Sequence, residues 1–335
     1  MRENLGELLA RESIIEVAKP MERAIIQGAF PRCEQLFQDP YKPLQFVHFS
    51  DVHSIRDHWD RIMMFINYYE KYLSFGIHTG DSVSSNIDGN TDLYRLGTPT
   101  NLPVLNCLGN HDKYRPSEDK PTKAFVRDKI FGPMENWDVT YMDCDASMTY
   151  YKDFPGSNIR LIVLDLYYDQ EQQVEWLRDL LARSKEEGVH VITAMHQPTA
   201  ELVDCPPTTF HTYMDWSELN VQVPKTVFED TIGDFVADGG KYICNLCGHH
   251  HYDMFGYTER GVLNVAVEMA TCWAPWDDTG RVFDTPTYDC FNVMSVDVNT
   301  GIFRIARIGN NVDYFLRQKH VLCFDYLNRK MVYTD

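Results

Sequence analysis

Five polar clusters in this chain carry the residue types that bind divalent cations: Asp51-Val52-His53, Gly80-Asp81, Gly109-Asn110-His111-Asp112, His196, and Gly248-His249-His250-His251. Carboxylates, a carboxamide oxygen and imidazoles are hard or borderline donors. With no thiolate among them, they suit Mn, Fe, Zn or Ni better than copper(I) or an iron–sulfur cluster. Taken singly each cluster is weak, because an Asp and a His two residues apart more often cap or turn a chain than bind metal. Their joint order along one chain carries the weight.

Each cluster follows a segment that reads as a buried strand. Leu44–Ser50 runs into Asp51, Phe75–Thr79 into Gly80-Asp81, Asn101–Leu108 into Gly109, Val189–Met195 into His196, and Tyr242–Cys247 into Gly248. Ile159–Asp165 is a further strand of the same kind. Helical spacing of apolar residues predicts crossover helices over His58–Leu73 and Asp169–Glu187, with Gly188 as a stop. Strands that end in polar loops and alternate with helices predict an α/β protein with ligands at carboxyl ends of strands. Residues 1–40 read as an N-terminal helical extension, and 41–335 as the main domain. An insertion at about 199–240, with Pro206-Pro207, His211 and Trp216, interrupts the rhythm, with one helix near Lys225–Ala237. From Gly261 onward, alternating segments at Val262–Val267, Phe291–Val298 and Ile302–Ile308 predict antiparallel strands.

The bulk composition narrows the partners. The chain has 335 residues, 44% of them hydrophobic and 24% charged, an ordinary globular balance with ample core material. A net charge of -18 argues against a surface for long nucleic acid, whose phosphates call for Lys and Arg. It leaves room for a small anionic substrate at a local positive site. No apolar run is long enough for a membrane span, and the first residues mix charge with apolar positions unlike a secretory signal. Nine scattered cysteines read as reduced thiols, so a cytoplasmic location is expected, with no membrane and no protein partner evident.

The ordered set DxH, GD, GNHD, H and GHxH resembles the five-block signature of the calcineurin-like metallophosphoesterase superfamily, from about residue 45 to residue 252. The resemblance implies two mixed β-sheets packed face to face and flanked by helices, a four-layer α/β/β/α sandwich with metals at one edge. It implies that Asp51, His53 and His251 hold one metal, that Asn110, His196 and His249 hold a second, and that Asp81 bridges them together with a hydroxide. Two divalent ions, Mn, Fe or Zn, would then clamp the attacking and leaving oxygens of a phosphoryl transfer. The two carboxylates, two divalent ions and one hydroxide leave such a site at about +1, a positive well for phosphate in an acidic protein. By the same resemblance His111 would protonate the leaving alkoxide or stabilise charge on the phosphoryl group. Asp112 is expected to orient His111 and keep it protonated. The substrate is a small phosphate monoester or a small diester such as a cyclic nucleotide; a nonenzymatic scaffold of the same fold is the remaining reading. The purple acid phosphatase branch carries a Tyr soon after its GD; Ser82-Val83-Ser84 stands here, so a colourless site is expected.

Other groups take plainer readings. His250 should point away from its neighbours on an extended chain. Cys244 and Cys247 have the spacing of a metal or redox pair but lie in a predicted strand. Asp88-Gly89-Asn90-Thr91-Asp92 has the composition of a calcium loop without its ordering, and reads as a turn. His48 and His78 read as core residues, and Arg56 as a solvated residue or a phosphate contact. Trp273 and Trp276 either stack on a base or sugar or pack the sheet edge.

Overall fold

The computed structural model describes residues 19–333 except 42, 85–86, 88–98, 114–120, 133–136, 204–224, 252, 272–280, 283–284 and 310–319. The first 18 residues, residues 204–224 of the 199–240 insertion, the calcium-like turn and Trp273 and Trp276 therefore lie outside the described residues.

Fourteen strands are described. In chain order they are β1 (Leu44–Phe49), β2 (Phe75–His78), β3 (Val104–Asn106), β4 (Thr140–Tyr141), β5 (Tyr150–Phe154), β6 (Ile159–Val163) and β7 (His190–Ala194). They continue as β8 (Tyr242–Cys247), β9 (Met254–Tyr257), β10 (Leu263–Ala266), β11 (Phe291–Asp297), β12 (Ile302–Ile308), β13 (Val321–Asp325) and β14 (Lys330–Tyr333). They form two seven-stranded mixed sheets. One has the order β14-β13-β12-β11-β1-β2-β3, the other β4-β5-β6-β7-β8-β10-β9. The parallel strands β1, β2 and β3 sit in the first sheet, and the parallel strands β6, β7, β8 and β10 in the second. These parallel sets supply every polar cluster described above.

Burial on both faces explains why these strands read as nearly continuous apolar runs. Alternate residues of β1 separate cleanly: Leu44 and Phe46 face the core between the sheets, while Val47 and Phe49 face outward. The outward face of the first sheet is covered by α1 (Pro31–Phe37) and α2 (Arg56–Tyr68), through Leu36, Trp59, Ile62 and Phe65. The outward face of the second is covered by α3 (Gln170–Glu187) and α4 (Glu229–Ala237), through Leu177, Leu181, Ile232 and Phe235. The result is the four-layer sandwich that the resemblance implies. Gly188 ends α3 with a left-handed φ of 70°. Among the described residues no helix is long and apolar enough to cross a membrane.

Several boundaries and one whole region differ from the sequence reading. The strand before Gly109 is only Val104–Asn106, and the helix near 225–237 begins at Glu229. The antiparallel strands β4 and β5 had no counterpart in the reading at all. Their fit depends on distant pairing, since β5 is held by β6 through the register Tyr150↔Val163 to Phe154↔Ile159. Tyr150 then does something no local pattern announces. Strand β3 is the edge of its sheet, and its outward backbone groups have no strand to bond. The buried Tyr150 hydroxyl, from the other sheet, donates to the Asn106 carbonyl at 2.9 Å and accepts from the Asn106 amide at 3.1 Å.

Tyr150→Phe removes both bonds at a buried site. The expected cost is about 1–3 kcal/mol of unfolding free energy, read from denaturant unfolding. A change within experimental error would mean that the edge of β3 finds other partners.

Candidate metal centre

Backbone hydrogen bonding continues past the strands and sets the loops in place. Beyond β1 and β2, the amides of Asp51, His53 and Ser54 donate to the carbonyls of Gly80, Asp81 and Ser82 at 3.0, 2.9 and 2.7 Å. The second sheet docks on this pair of loops. The His249 amide donates to Asp51 Oδ2 at 2.9 Å, and the Ala270 amide to the Ser50 carbonyl at 2.9 Å. Such approach requires glycine at two points. A Cβ on Gly109 would overlap the amide nitrogen and carboxylate of Asp81, and one on Gly248 would overlap Ser50 and Asp51 Oδ2.

All seven expected ligands meet at this edge. Asp51 Oδ1 lies 3.8 Å from His53 Nε2 and 3.5 Å from His251 Nε2, and those two nitrogens are 3.2 Å apart. In the neighbouring set, His196 Nε2 lies 3.3 Å from Asp81 Oδ2, 3.0 Å from Asn110 Oδ1 and 3.2 Å from His249 Nδ1. Asp81 also belongs with His53 and His111, so its carboxylate stands between the two sets. Ligands about 2.1 Å from one ion stand about 3–3.4 Å from each other, the spacing of most of these pairs. Asp51 Oδ1 is buried and has no hydrogen-bond partner among the described residues. Oxygen and nitrogen atoms converging in this way, one of them buried and unpaired, fit divalent cations.

The electrostatics agree. Burial pushes Asp51 and Asp81 toward protonation, yet the surrounding imidazoles outweigh it and hold both below the ordinary range. Burial lowers His53 and His249 to about 4, keeping them neutral as ligands must be. Burial also disfavours charge on His196, but Asp81 and Asp51 override it and raise His196 to about 9. The two carboxylates thus draw a proton where they want a cation. His196 is aimed by its other nitrogen, Nδ1, which donates to the Thr79 carbonyl at 2.8 Å.

The backbone is held against its preferences here. Asp51, His53, Asp81, His249 and His251 all have positive φ, between 49° and 70°. Each such non-glycine residue costs on the order of 1 kcal/mol or more and persists only where the surroundings dictate it.

Asp112 is placed differently from the expectation. Its buried carboxylate accepts from the amides of Gly109 (2.8 Å), Asp81 (3.0 Å) and Val83 (2.9 Å) and from the Ser82 hydroxyl (2.8 Å). It staples the GNHD turn to the loop that carries Asp81. His111 takes its orientation from the Ser84 carbonyl, which accepts from Nδ1. Its own amide donates to Asp81 Oδ1 at 2.8 Å, and its Nε2 faces Asp81 Oδ2 at 3.9 Å. The ring is 40% exposed, so Nε2 remains within reach of a substrate.

The plainer readings stand mostly as expected. Cys244 and Cys247 are buried free thiols in β8. His48 and His78 are buried strand residues. Arg56 pairs with Asp60 at 3.1 Å, one turn along α2. The sequence reading missed the carbonyls of Thr79 and Ser84, which any residue type can supply. It also missed a buried charge network under the site. Asp253 accepts from Arg307 Nε at 2.8 Å and from the Glu268 amide at 2.9 Å, and Glu268 pairs with Arg281 at 2.7 Å.

A sequence model of the calcineurin-like phosphoesterase family matches residues 44–253, more than half of the chain. This protein belongs to that family. It is accordingly a metal-dependent phosphoric ester hydrolase. The calcineurin-like fold is also that of a dimetal phosphatase from Danio rerio, at a TM-score of 0.54 and 12% identity, covering 80% of this chain and 97% of that one. A conserved protein from Streptococcus pneumoniae TIGR4, described as a predicted phosphoesterase, superposes more loosely, at a TM-score of 0.36 and 10% identity over 84% and 97% of the two chains. No curated protein sequence matches this chain.

His251→Gly separates a ligand from a packing residue. Glycine accepts the φ of 64° without strain. Unfolding free energy of the metal-free protein should therefore change by less than about 1 kcal/mol, while bound metal per chain falls, read by elemental analysis after dialysis. Unchanged metal content would remove His251 from the ligand set.

Proposed function

We propose that this protein hydrolyses a small phosphate ester at a dinuclear centre. Asp51, His53 and His251 would hold one divalent ion, Asn110, His196 and His249 the second, and Asp81 both. The observation that carries this reading is the convergence of the two donor sets on a shared Asp81 carboxylate. When bound, two such ions supply Lewis acidity toward phosphoryl oxygens and an acidified water as nucleophile near neutral pH. Donors without thiolate favour Mn, Fe or Zn.

The chain's own groups have distinct tasks. Asp51 and Asp81 set the charge of the site at two negatives before metal, so loading makes it attractive to a phosphate. Asp112 fixes the position of Asp81 through the Asp81 amide. His111, with Nδ1 committed to the Ser84 carbonyl, presents Nε2 to the open side of the site and delivers a proton there to the departing oxygen. Ester selection fits a small substrate, because a net charge of -18 disfavours long nucleic acid. The seven described cysteines are free, which supports a reducing compartment such as the cytoplasm.

Exhaustive chelation should leave no measurable phosphoesterase activity, and Mn or a similar ion should restore it. Full turnover by verified metal-free protein would overturn the proposal. Parallel assays with bis-nitrophenyl phosphate and nitrophenyl phosphate decide between diester and monoester.

His111→Ala should slow esters with poor leaving groups by on the order of 10²–10⁴, and nitrophenyl esters far less. Equal losses for both classes would assign His111 to substrate binding instead of proton delivery.

A further inference from the structure

Strand β8 has two ends, and only one of them belongs to the metal centre. His249 and His251 follow its carboxyl end. Its amino end, at Lys241 and Tyr242, lies six residues away, about 20 Å along an extended strand. There a cavity of about 140 Å³ opens between the start of β8, the end of α4 and the turn joining β13 to β14.

The lining combines three chemistries. Val236, Ile243 and Leu263 form apolar walls, with aromatic rings beside them. Tyr257 is 8% exposed, and its hydroxyl is buried with no hydrogen-bond partner among the described residues. A buried phenol left unpaired costs about 1–3 kcal/mol, so an isolated one is either retained for a ligand or bonded to water. Lys241 and Arg329 complete the lining, both on exposed positions, and no carboxylate lines the cavity. Lys241 reaches the Gly188 carbonyl at 3.2 Å, while Arg329 has no ion pair or hydrogen bond among the described residues. A doubly cationic mouth is conspicuous on a chain of net charge -18.

We infer that this cavity binds a small carboxylate with a flat apolar body, at a site separate from the metal centre. Size sets the body: cavities of about 150 Å³ accept a benzene ring. Charge sets the outer end, since a carboxylate at the mouth meets Lys241 and Arg329 together. The buried, unpaired Tyr257 hydroxyl sets a second polar point, where a ligand hydroxyl gives it the partner it lacks. A hydroxylated aromatic carboxylate satisfies all three, and this holds whether or not the metal centre is a phosphoesterase site.

The test is titration of the metal-loaded, full-length protein with 4-hydroxybenzoate, benzoate and benzamide, followed by calorimetry and ligand-observed NMR. Saturable binding is expected in the order 4-hydroxybenzoate, then benzoate, then benzamide, with at least tenfold between the first and last. Because Lys241 and Arg329 are exposed, Lys241→Gln with Arg329→Gln leaves the fold intact, and should weaken both carboxylates tenfold or more. Arg329→Gln alone should give a smaller loss in the same direction. Tyr257→Phe should erase the preference for 4-hydroxybenzoate over benzoate while leaving benzoate unchanged. Absence of saturable binding would overturn the inference. So would carboxylate binding that the rim substitutions do not weaken, as expected for a ligand lodged on the metals, or benzamide binding as well as benzoate.

Discussion

Two buried carboxylates, Asp51 and Asp81, govern this structure. Each is about 99–100% removed from solvent, where an isolated negative charge is costly to keep. Both are nevertheless held below the ordinary carboxylate range, because the imidazoles of His53, His196 and His251 stand around them and outweigh burial. Charges placed this way repel each other and the backbone carbonyls nearby unless cations join them. The proton drawn onto His196 is a response to that demand, whereas burial keeps His53 and His249 neutral against it.

Meeting it shapes the backbone. To bring donors from five loops within bonding distance of two points, the loops at one edge of the sandwich must approach closely, Gly109 against Asp81 within the first sheet and Gly248 against Ser50 and Asp51 between the two sheets. Five ligand residues then take left-handed conformations that their side chains disfavour. Strain of this kind needs a rigid frame. The frame is partly the sandwich core and partly polar. Asp112 gathers four donors from the two loops it joins, and Asp253, Arg307, Glu268 and Arg281 form a charge-balanced network just beyond His251. Buried networks of that sort add little net stability but leave a large penalty if one member is removed, so they fix geometry more than they strengthen the fold.

How far the sequence disclosed this depends on the range of the interaction. The strands and the polar clusters at their ends were legible, because apolar strands buried on both faces announce themselves locally and each cluster follows one directly; the two-sheet sandwich and the division of the donors between two ions came from the resemblance to a family. Leu44–Phe49 followed by Asp51 is readable without knowing what lies across the sheet. Roles that depend on a distant partner were not readable. Asp112 is adjacent to His111 in sequence and was assigned to it, yet its bonds run to Asp81, Ser82 and Val83, some thirty residues back. Helical geometry explains the error: within the single turn His111–Lys113, neighbouring side chains diverge. Strands β4 and β5 escaped notice for a related reason. Tyr150–Phe154 has a mixed pattern of burial, and its strand character comes from pairing with β6. Tyr150 itself closes the edge of a strand in the other sheet, a contact across forty-four residues.

The two ends of β8 show what this architecture permits. Parallel strands place every carboxyl end on one edge, so the chemistry and its strain concentrate there. The opposite edge carries no such burden, and a cavity lined by Tyr257 can open there without disturbing the ligand loops. Rigid strands nonetheless connect the two edges. Tyr242 and Ile243 line the cavity, while Leu246 and Cys247 of the same buried strand lead directly into Gly248. A ligand that filled the cavity would therefore press on the same strand that sets His249 and His251, whereas Asp51, Asp81 and Asn110 are carried by the other sheet. Any coupling between the edges has to act on the imidazole side of the centre, by shifting two ligands relative to a fixed carboxylate frame.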